Sequence, residues 1–180
     1  MNVSYRHPGP FAVVGLIAAF VFALVLVIAS NGDPAWVYGE NTLVDLGNSS
    51  VQITADVFNY GCMVVGLLTF VFGIGKSLCE TGCNRASGCL AAIAGIFLIA
   101  LGYLGPEFGN ENTETTITVL IFLFMFIAMV VSAIGDSRDG YRLNSALSVI
   151  LLLVIIGSMV GGNAAMIGVS VKMIFAMRKC

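Results

Sequence analysis

The chain has 180 residues, 58% of them hydrophobic and only 10% charged, with a mean hydropathy of +0.99. Soluble domains carry about 25% charged residues, so this composition leaves too little polar surface to cover a water-soluble fold. The formal net charge of −2, with most acidic residues in the loops of one face, argues against nucleic acid as a partner class.

A bilayer span needs about 20 apolar residues. Six segments qualify: 11–30, 57–76, 88–104, 116–135, 143–160 and 163–177. The third and sixth are short, and only Gly161 and Gly162 separate the last two. Five spans with a re-entrant end is therefore the alternative. The predicted fold is all-α, a polytopic membrane protein whose single domain, residues 1–180, holds six transmembrane helices. Charge placement supports the count. Arg6, Lys76, Arg85, Arg138, Arg142, Lys172, Arg178 and Lys179 all fall in or beside alternate gaps. That is the positive-inside pattern, which predicts cytoplasmic N and C termini in the cell (plasma) membrane. Seven acidic residues (Asp33, Glu40, Asp45, Asp56, Glu107, Glu111 and Glu114) lie in or beside the outer gaps. Such a face attracts cations, although a solvated loop is the simpler account of it.

Residues 1–10 form a short lead containing His7, the only histidine, so a histidine-rich zinc site is unavailable from one chain. The first apolar run exceeds the 7–15 residues of a signal h-region and reads as a span. Asn31, Gly32, Asp33 and Pro34 then read as a turn, and Trp36 and Tyr38 as interfacial aromatics. Leu43, Val44 and Leu46 flank Asp45, so this segment is expected to lie back on the bundle. Asn48, Ser49 and Ser50 match a glycosylation sequon placed very close to the next span.

Along the second span Asp56, Asn59, Cys62, Gly66, Thr69 and Gly73 recur every three or four residues, on one helical stripe. Small and polar residues on one stripe mark a helix-packing face; the functional version is a polar crevice descending from Asp56. Asn59 lies about one turn inside the boundary, where an unpaired amide costs on the order of 2–7 kcal/mol. It therefore needs partners, and Asp45, Asp56 and Asn59 are expected to form one polar site. The inner loop brings Cys79, Cys83 and Cys89 close in sequence, with Cys180 expected at the same face. Their spacing is not that of a standard zinc site; no cofactor or metal is expected, and these four thiols are the metal alternative.

The third span carries Ala91, Gly95 and Gly102 and is expected to stop at Gly105 and Pro106. Ser132 is the main polar interruption of the fourth, and Gly157, Gly161, Ala164 and Gly168 give close-contact surfaces on the last two. No span carries a charge near its middle, where proton relays and ion-coupled carriers place theirs.

Leu43, Asp45, Leu46, Gly47, Phe58, Asn59, Gly61 and Gly66, with Leu101, Gly102 and Pro106, resemble a family of six-helix prokaryotic membrane proteins catalogued as domain of unknown function 998. Its distant relatives are Frag/DRAM/Sfk-like membrane proteins. Two departures stand out. Val44 occupies the place of a common serine, and residues 107–118 lack a histidine that many members carry. The resemblance implies the span layout and brings no activity. The expected function is a non-enzymatic binding or scaffolding component with an outward acidic crevice, its candidate residues being Asp45, Asp56, Asn59, Tyr60, Glu107 and Glu111. It would contact membrane lipids, a small cation, another membrane protein or a second copy in a homo-oligomer. A small channel or transporter is the alternative, and an intramembrane enzyme using outer carboxylates the third reading.

Overall fold

The computed structural model describes residues 9–37, 41–108, 111–141, 145, 146, 149, 150 and 153. They form five helices: α1 (Gly9–Gly32), the short α2 (Val44–Gly47), α3 (Gln52–Cys79), α4 (Gly82–Phe108) and α5 (Glu111–Arg138). The fold is all-α. Four of these helices contain stretches long and apolar enough to cross a membrane, namely Phe11–Gly32, Gln52–Cys79, Gly82–Leu104 and Thr113–Arg138. The chain is membrane-embedded by this measure. The expected fifth and sixth spans fall almost wholly outside the described residues.

The helices run beyond the spans that hydropathy predicts. α3 begins at Gln52, α4 at Gly82, and α5 continues to Arg138. Hydropathy falls at the first polar residue, but a helix goes on satisfying its own backbone groups through the membrane boundary. The expected inner loop of residues 76–89 shrinks to Glu80 and Thr81, with Gly82 at φ +60° turning the chain into α4. Pro106 does not stop α4, which ends two residues later at Phe108. Its missing N–H removes a single bond close to a terminus where the ladder is ending anyway. α5 closes differently. Gly140 has φ +82°, its N–H donates to Ser137 O, and Tyr141 N–H donates to Asp136 O. This is a Schellman turn, in which glycine takes the left-handed position.

The four long helices lie side by side in the order α1, α3, α4, α5, each packed mainly on its neighbours. The tightest junction is α3 against α4, and glycine makes it. A Cβ added to Gly66 would lie 2.7 Å from the backbone N of Ile99 and 2.8 Å from the carbonyl of Gly95. One on Gly73 would meet Gly88 O at 2.7 Å, and one on Gly102 would strike the Asn59 carbonyl. The facing pairs are thus 59 with 102, 66 with 95 and 73 with 88, stepping by seven residues in opposite directions. A seven-residue repeat keeps one seam between two helices, and glycines along it let the backbones touch, as membrane helix pairs require. The predicted packing stripe is observed in its lower part: Cys62, Gly66, Thr69 and Gly73 are all buried.

The α1–α3 junction works by insertion. Val25 fills the notch at Gly61 and Phe11 the notch at Gly75, while Phe72 of α3 sits over Gly15. α5 joins α4 through the stacked rings of Phe97 and Phe124, 5.6 Å apart and inclined by 16°. The apolar faces left exposed, including Phe20, Val27, Leu67, Ile96 and Val119, are those suited to lipid.

Candidate functional site

Residues 33–37 and 41–51, between α1 and α3, fold over one end of the bundle as a cap, built by local polar bonds. Asp33 follows α1, and its Oδ1 accepts from Ala35 N–H at 2.9 Å, forming the predicted turn. Trp36 Nε1–H donates to Thr42 O at 3.0 Å, and Val37 N–H to Asn41 Oδ1 at 2.8 Å. Asp45 Oδ2 accepts from Thr42 N–H at 2.6 Å, tying the chain just ahead of α2 to its first turn. Trp36 is therefore a cap residue, packed beside the buried cluster, and not simply an interfacial aromatic. Tyr38 lies outside the described residues.

Leu46 anchors the cap. It is fully buried with Val25, Ala29, Phe58 and Cys62, and Leu43 packs against the same cluster. Burying a leucine stabilises by about 1.5–3 kcal/mol, the largest single apolar contribution a four-residue helix offers. The expectation that this loop lies back on the bundle is met. Polar ties complete the attachment. Asn48 Nδ2–H donates to Glu114 Oε2 of α5 at 2.6 Å, and Asn59 Nδ2–H of α3 donates to Gly47 O at 3.2 Å. Ser49 Oγ–H donates to Asp33 Oδ2 at 2.6 Å, closing the two ends of the cap on each other. This bond, then those from the backbone N–H groups of Ala35 and Trp36, hold the Asp33 carboxyl below its ordinary value. The sequon amide of Asn48 is thus engaged within the protein.

The predicted site residues are placed as follows. Asp45 is exposed and bonded within the cap; Asp56 is exposed and accepts from Gln52 Nε2–H at 3.0 Å. Asn59 is half-buried and reaches the cap through the carbonyl of Gly47, not through Asp45 or Asp56. Gly47 is needed there, since a Cβ would stand 2.8 Å from Asn59 Oδ1. Tyr60 is 67% exposed on α3. Glu107 falls in the last turn of α4 and Glu111 opens α5. Asp33 and Glu114, in contrast, are buried. Of the carboxylates at this end whose side chains are described, Asp33 and Glu114 are a buried pair that holds the cap, and Asp45 and Asp56 an exposed pair at its rim.

The opposite end carries a polar chain that sequence reasoning missed. Lys76 Nζ of α3 donates to Ser132 Oγ of α5 at 3.0 Å, and Ser132 Oγ–H stands 3.5 Å from Asn84 Oδ1 of α4. Asn84 Nδ2–H donates to Asp139 Oδ2 at 3.0 Å. The chain runs from an ammonium to a carboxylate through two neutral groups, all donors pointing one way, and joins three helices. Asn84 is 2% exposed and rests against Gly135, where a Cβ would lie 2.7 Å from its Oδ1. The signal was present as polar residues at helical spacing, Asn84 with Ser87 and Ser132 with Asp136 and Asp139. Hydropathy assigns Asn84, Ser87, Asp136 and Asp139 to loops and Ser132 to a span, so the pattern is split across the expected helix ends.

Cys79 and Cys83 are half-buried and Cys89 is exposed. Cys83 Sγ accepts from Arg138 Nη1–H at 3.8 Å. Among the described residues no three His, Cys, Asp or Glu side chains are gathered closely enough to hold a metal ion; Cys180 lies outside them.

No curated protein and no solved structure matches the chain. Residues 16–173 match the family described as "Protein of unknown function (DUF998)". The resemblance carried by residues 43–66 and 101–106 holds, and the chain belongs to that family.

Proposed function

We propose that this protein is a six-span component of the plasma membrane, with both termini cytoplasmic, that acts without catalysis by binding or scaffolding. Its working surface is the outward rim of the cap, Asp45, Asp56, Asn59 and Tyr60, with Glu107 and Glu111 on the neighbouring turn. The contacts proposed are membrane lipids, a small cation, and another membrane protein or a second copy. The observation that carries this reading is the division of the carboxylates. Asp33 and Glu114 are buried in the attachment of the cap, whereas Asp45, Asp56 and Tyr60 remain exposed. A second observation favours binding over transport: among the described residues no Asp, Glu, Lys or Arg stands at the middle of a span. Six spans and inward termini are supported by the alternation of basic residues. The chain beyond Gly140 also returns to α5, where Ser145 Oγ–H donates to Ala133 O at 3.1 Å.

The test is a thermal-shift series on the purified protein with calcium, magnesium, manganese, and anionic or zwitterionic lipid. A ligand that binds only the folded state raises the melting temperature in proportion to its occupancy. At least one of these should do so for the wild type and lose its effect in the Asp45→Asn/Asp56→Asn double variant. Identical shifts in both proteins, or none in either, would contradict the proposal.

A further inference from the structure

The register of the α3–α4 seam also fixes what lies along one side of it. Gly102 stands level with the gap between Asn59 and Met63, Gly95 with that between Gly66 and Phe70, and Gly88 with that between Gly73 and Ser77. The two helices are antiparallel, so one step past residues 59 and 102 turns both chains to the same side of the seam and keeps them level. Tyr60 and Tyr103 are therefore neighbours on one face, followed by Leu67 with Ile96 and Ile74 with Cys89. All six are exposed, Tyr60 by 67% and Tyr103 by 70%. Asp56, one turn closer to the cap than Tyr60 and on the same face, is exposed too. At 1.5 Å per residue, the track from the tyrosines to the last of these pairs runs for roughly 20 Å.

We infer that this face is a lipid site: Asp56, Tyr60 and Tyr103 hold the ammonium of a zwitterionic phospholipid headgroup, and one acyl chain lies along Leu67, Ile96, Ile74 and Cys89. The site stands on the reading of the cap rim as a binding surface and gives that surface its ligand. A carboxylate beside aromatic faces suits an organic cation, because the ring faces attract ammonium groups. A bare divalent ion takes about six or more oxygen ligands, whereas Asp56 is the one carboxylate among these seven side chains. One leaflet of hydrocarbon is about 15 Å deep, so the apolar track is long enough for a whole chain. Tyrosines that only anchor a helix at the interface need neither a level partner nor a carboxylate.

The experiment takes the full chain in a maltoside detergent and follows binding of phosphatidylcholine, phosphatidylethanolamine and phosphatidylglycerol by native mass spectrometry and thermal shift. The two zwitterionic lipids should bind and raise the melting temperature. Phosphatidylglycerol, which has no cation, should bind about tenfold more weakly or worse. Tyr60→Ala/Tyr103→Ala should weaken the zwitterionic lipids about tenfold, and Tyr60→Phe/Tyr103→Phe by less than about twofold, since the rings remain. Leu67→Ala/Ile96→Ala should also cost about tenfold, through the chain. These side chains are exposed, so melting temperatures without lipid should match the wild type. Water-soluble phosphocholine should not compete at the concentration of the lipid. Equal binding of phosphatidylglycerol, or undiminished binding by the tyrosine-to-alanine pair, would overturn the site. So would phosphocholine competing as well as the intact lipid, because the chain would then contribute nothing. A lipid effect lost in Asp45→Asn/Asp56→Asn but kept in the tyrosine-to-alanine pair would overturn this site and leave the rim reading standing. A divalent-cation shift with no lipid effect would do the same.

Discussion

The α3–α4 seam and the cap both hold small residues against a neighbour, but they do so with different forces. In the seam, backbone meets backbone at Gly66, Gly73, Gly88, Gly95 and Gly102, and nothing polar from a side chain is needed. Lipid is as apolar as leucine, so helices inside it gain from close van der Waals contact instead of from hydrophobic exclusion. The cap lies at the end of the bundle, where one buried leucine and a few hydrogen bonds do the work. The seam should therefore tolerate no added volume. The cap should tolerate loss of single bonds while loosening measurably.

The largest expected effect is at the seam. Gly95→Leu should abolish recovery of folded protein, because a Cβ there already lies 2.7 Å from Gly66 O and Phe70 N. Gly95→Ala, an overpacking of roughly 1–3 kcal/mol, should lower thermal stability more than Gly15→Ala. At Gly15 the obstacle is the Phe72 ring, 2.8 Å away, which has a side chain's freedom to turn. Equal losses in a denaturation series would remove the distinction between backbone and side-chain contact.

Next comes Leu46. Leu46→Ala should withdraw about 2–5 kcal/mol from the cap, visible as a change in fluorescence of Trp36, the only tryptophan, with the unfolding of the long helices little moved. Asn59→Leu should be milder, about 0.5–1.5 kcal/mol for one hydrogen bond, again read at Trp36. A fall in the stability of the whole bundle as large as that of Gly95→Ala would merge the two regions into one unit.

The smallest effect is acid sensitivity. The Asp33 carboxyl is held below its ordinary value of 3.8 by Ser49 Oγ–H and the N–H groups of Ala35 and Trp36. A lowered folded value means that the stabilisation is fully present above the ordinary value and is lost as pH falls through the lower folded one. A Trp36 titration should show a transition below pH 3.8 that is absent in Asp33→Asn. A transition of the same size in both proteins would assign it to another group.

How much of this could be read from residues alone varies by region. The stripe through Cys62, Gly66, Thr69 and Gly73 was legible because helical periodicity and small size coincide in it. Its partner on α4 was legible only in part, since the role of Gly88 depends on a helix starting at Gly82, inside what hydropathy reads as loop. The return of residues 43–46 to the bundle followed from Leu43, Val44 and Leu46 around a single charge. The detailed bonding did not: Asn59 required a partner on energetic grounds, but which loop group it met depends on the path of the backbone. That path brings the Gly47 carbonyl, and not Asp45, within reach. The chain from Lys76 to Asp139 was hidden because it joins residues on three helices and is long in sequence though short in space.

The contrast between the two regions is tested most directly by amide hydrogen exchange on the full chain in lipid nanodiscs. The amides of Asp45, Leu46 and Asn48, bonded to Thr42, Leu43 and Val44 carbonyls, should exchange about a hundredfold or more faster than those of residues 62–73 in the seam, local opening being far easier than global. Asn48→Ala should speed the cap amides alone. Equal protection of cap and seam in the wild type, or a loss shared by both in the variant, would contradict the account.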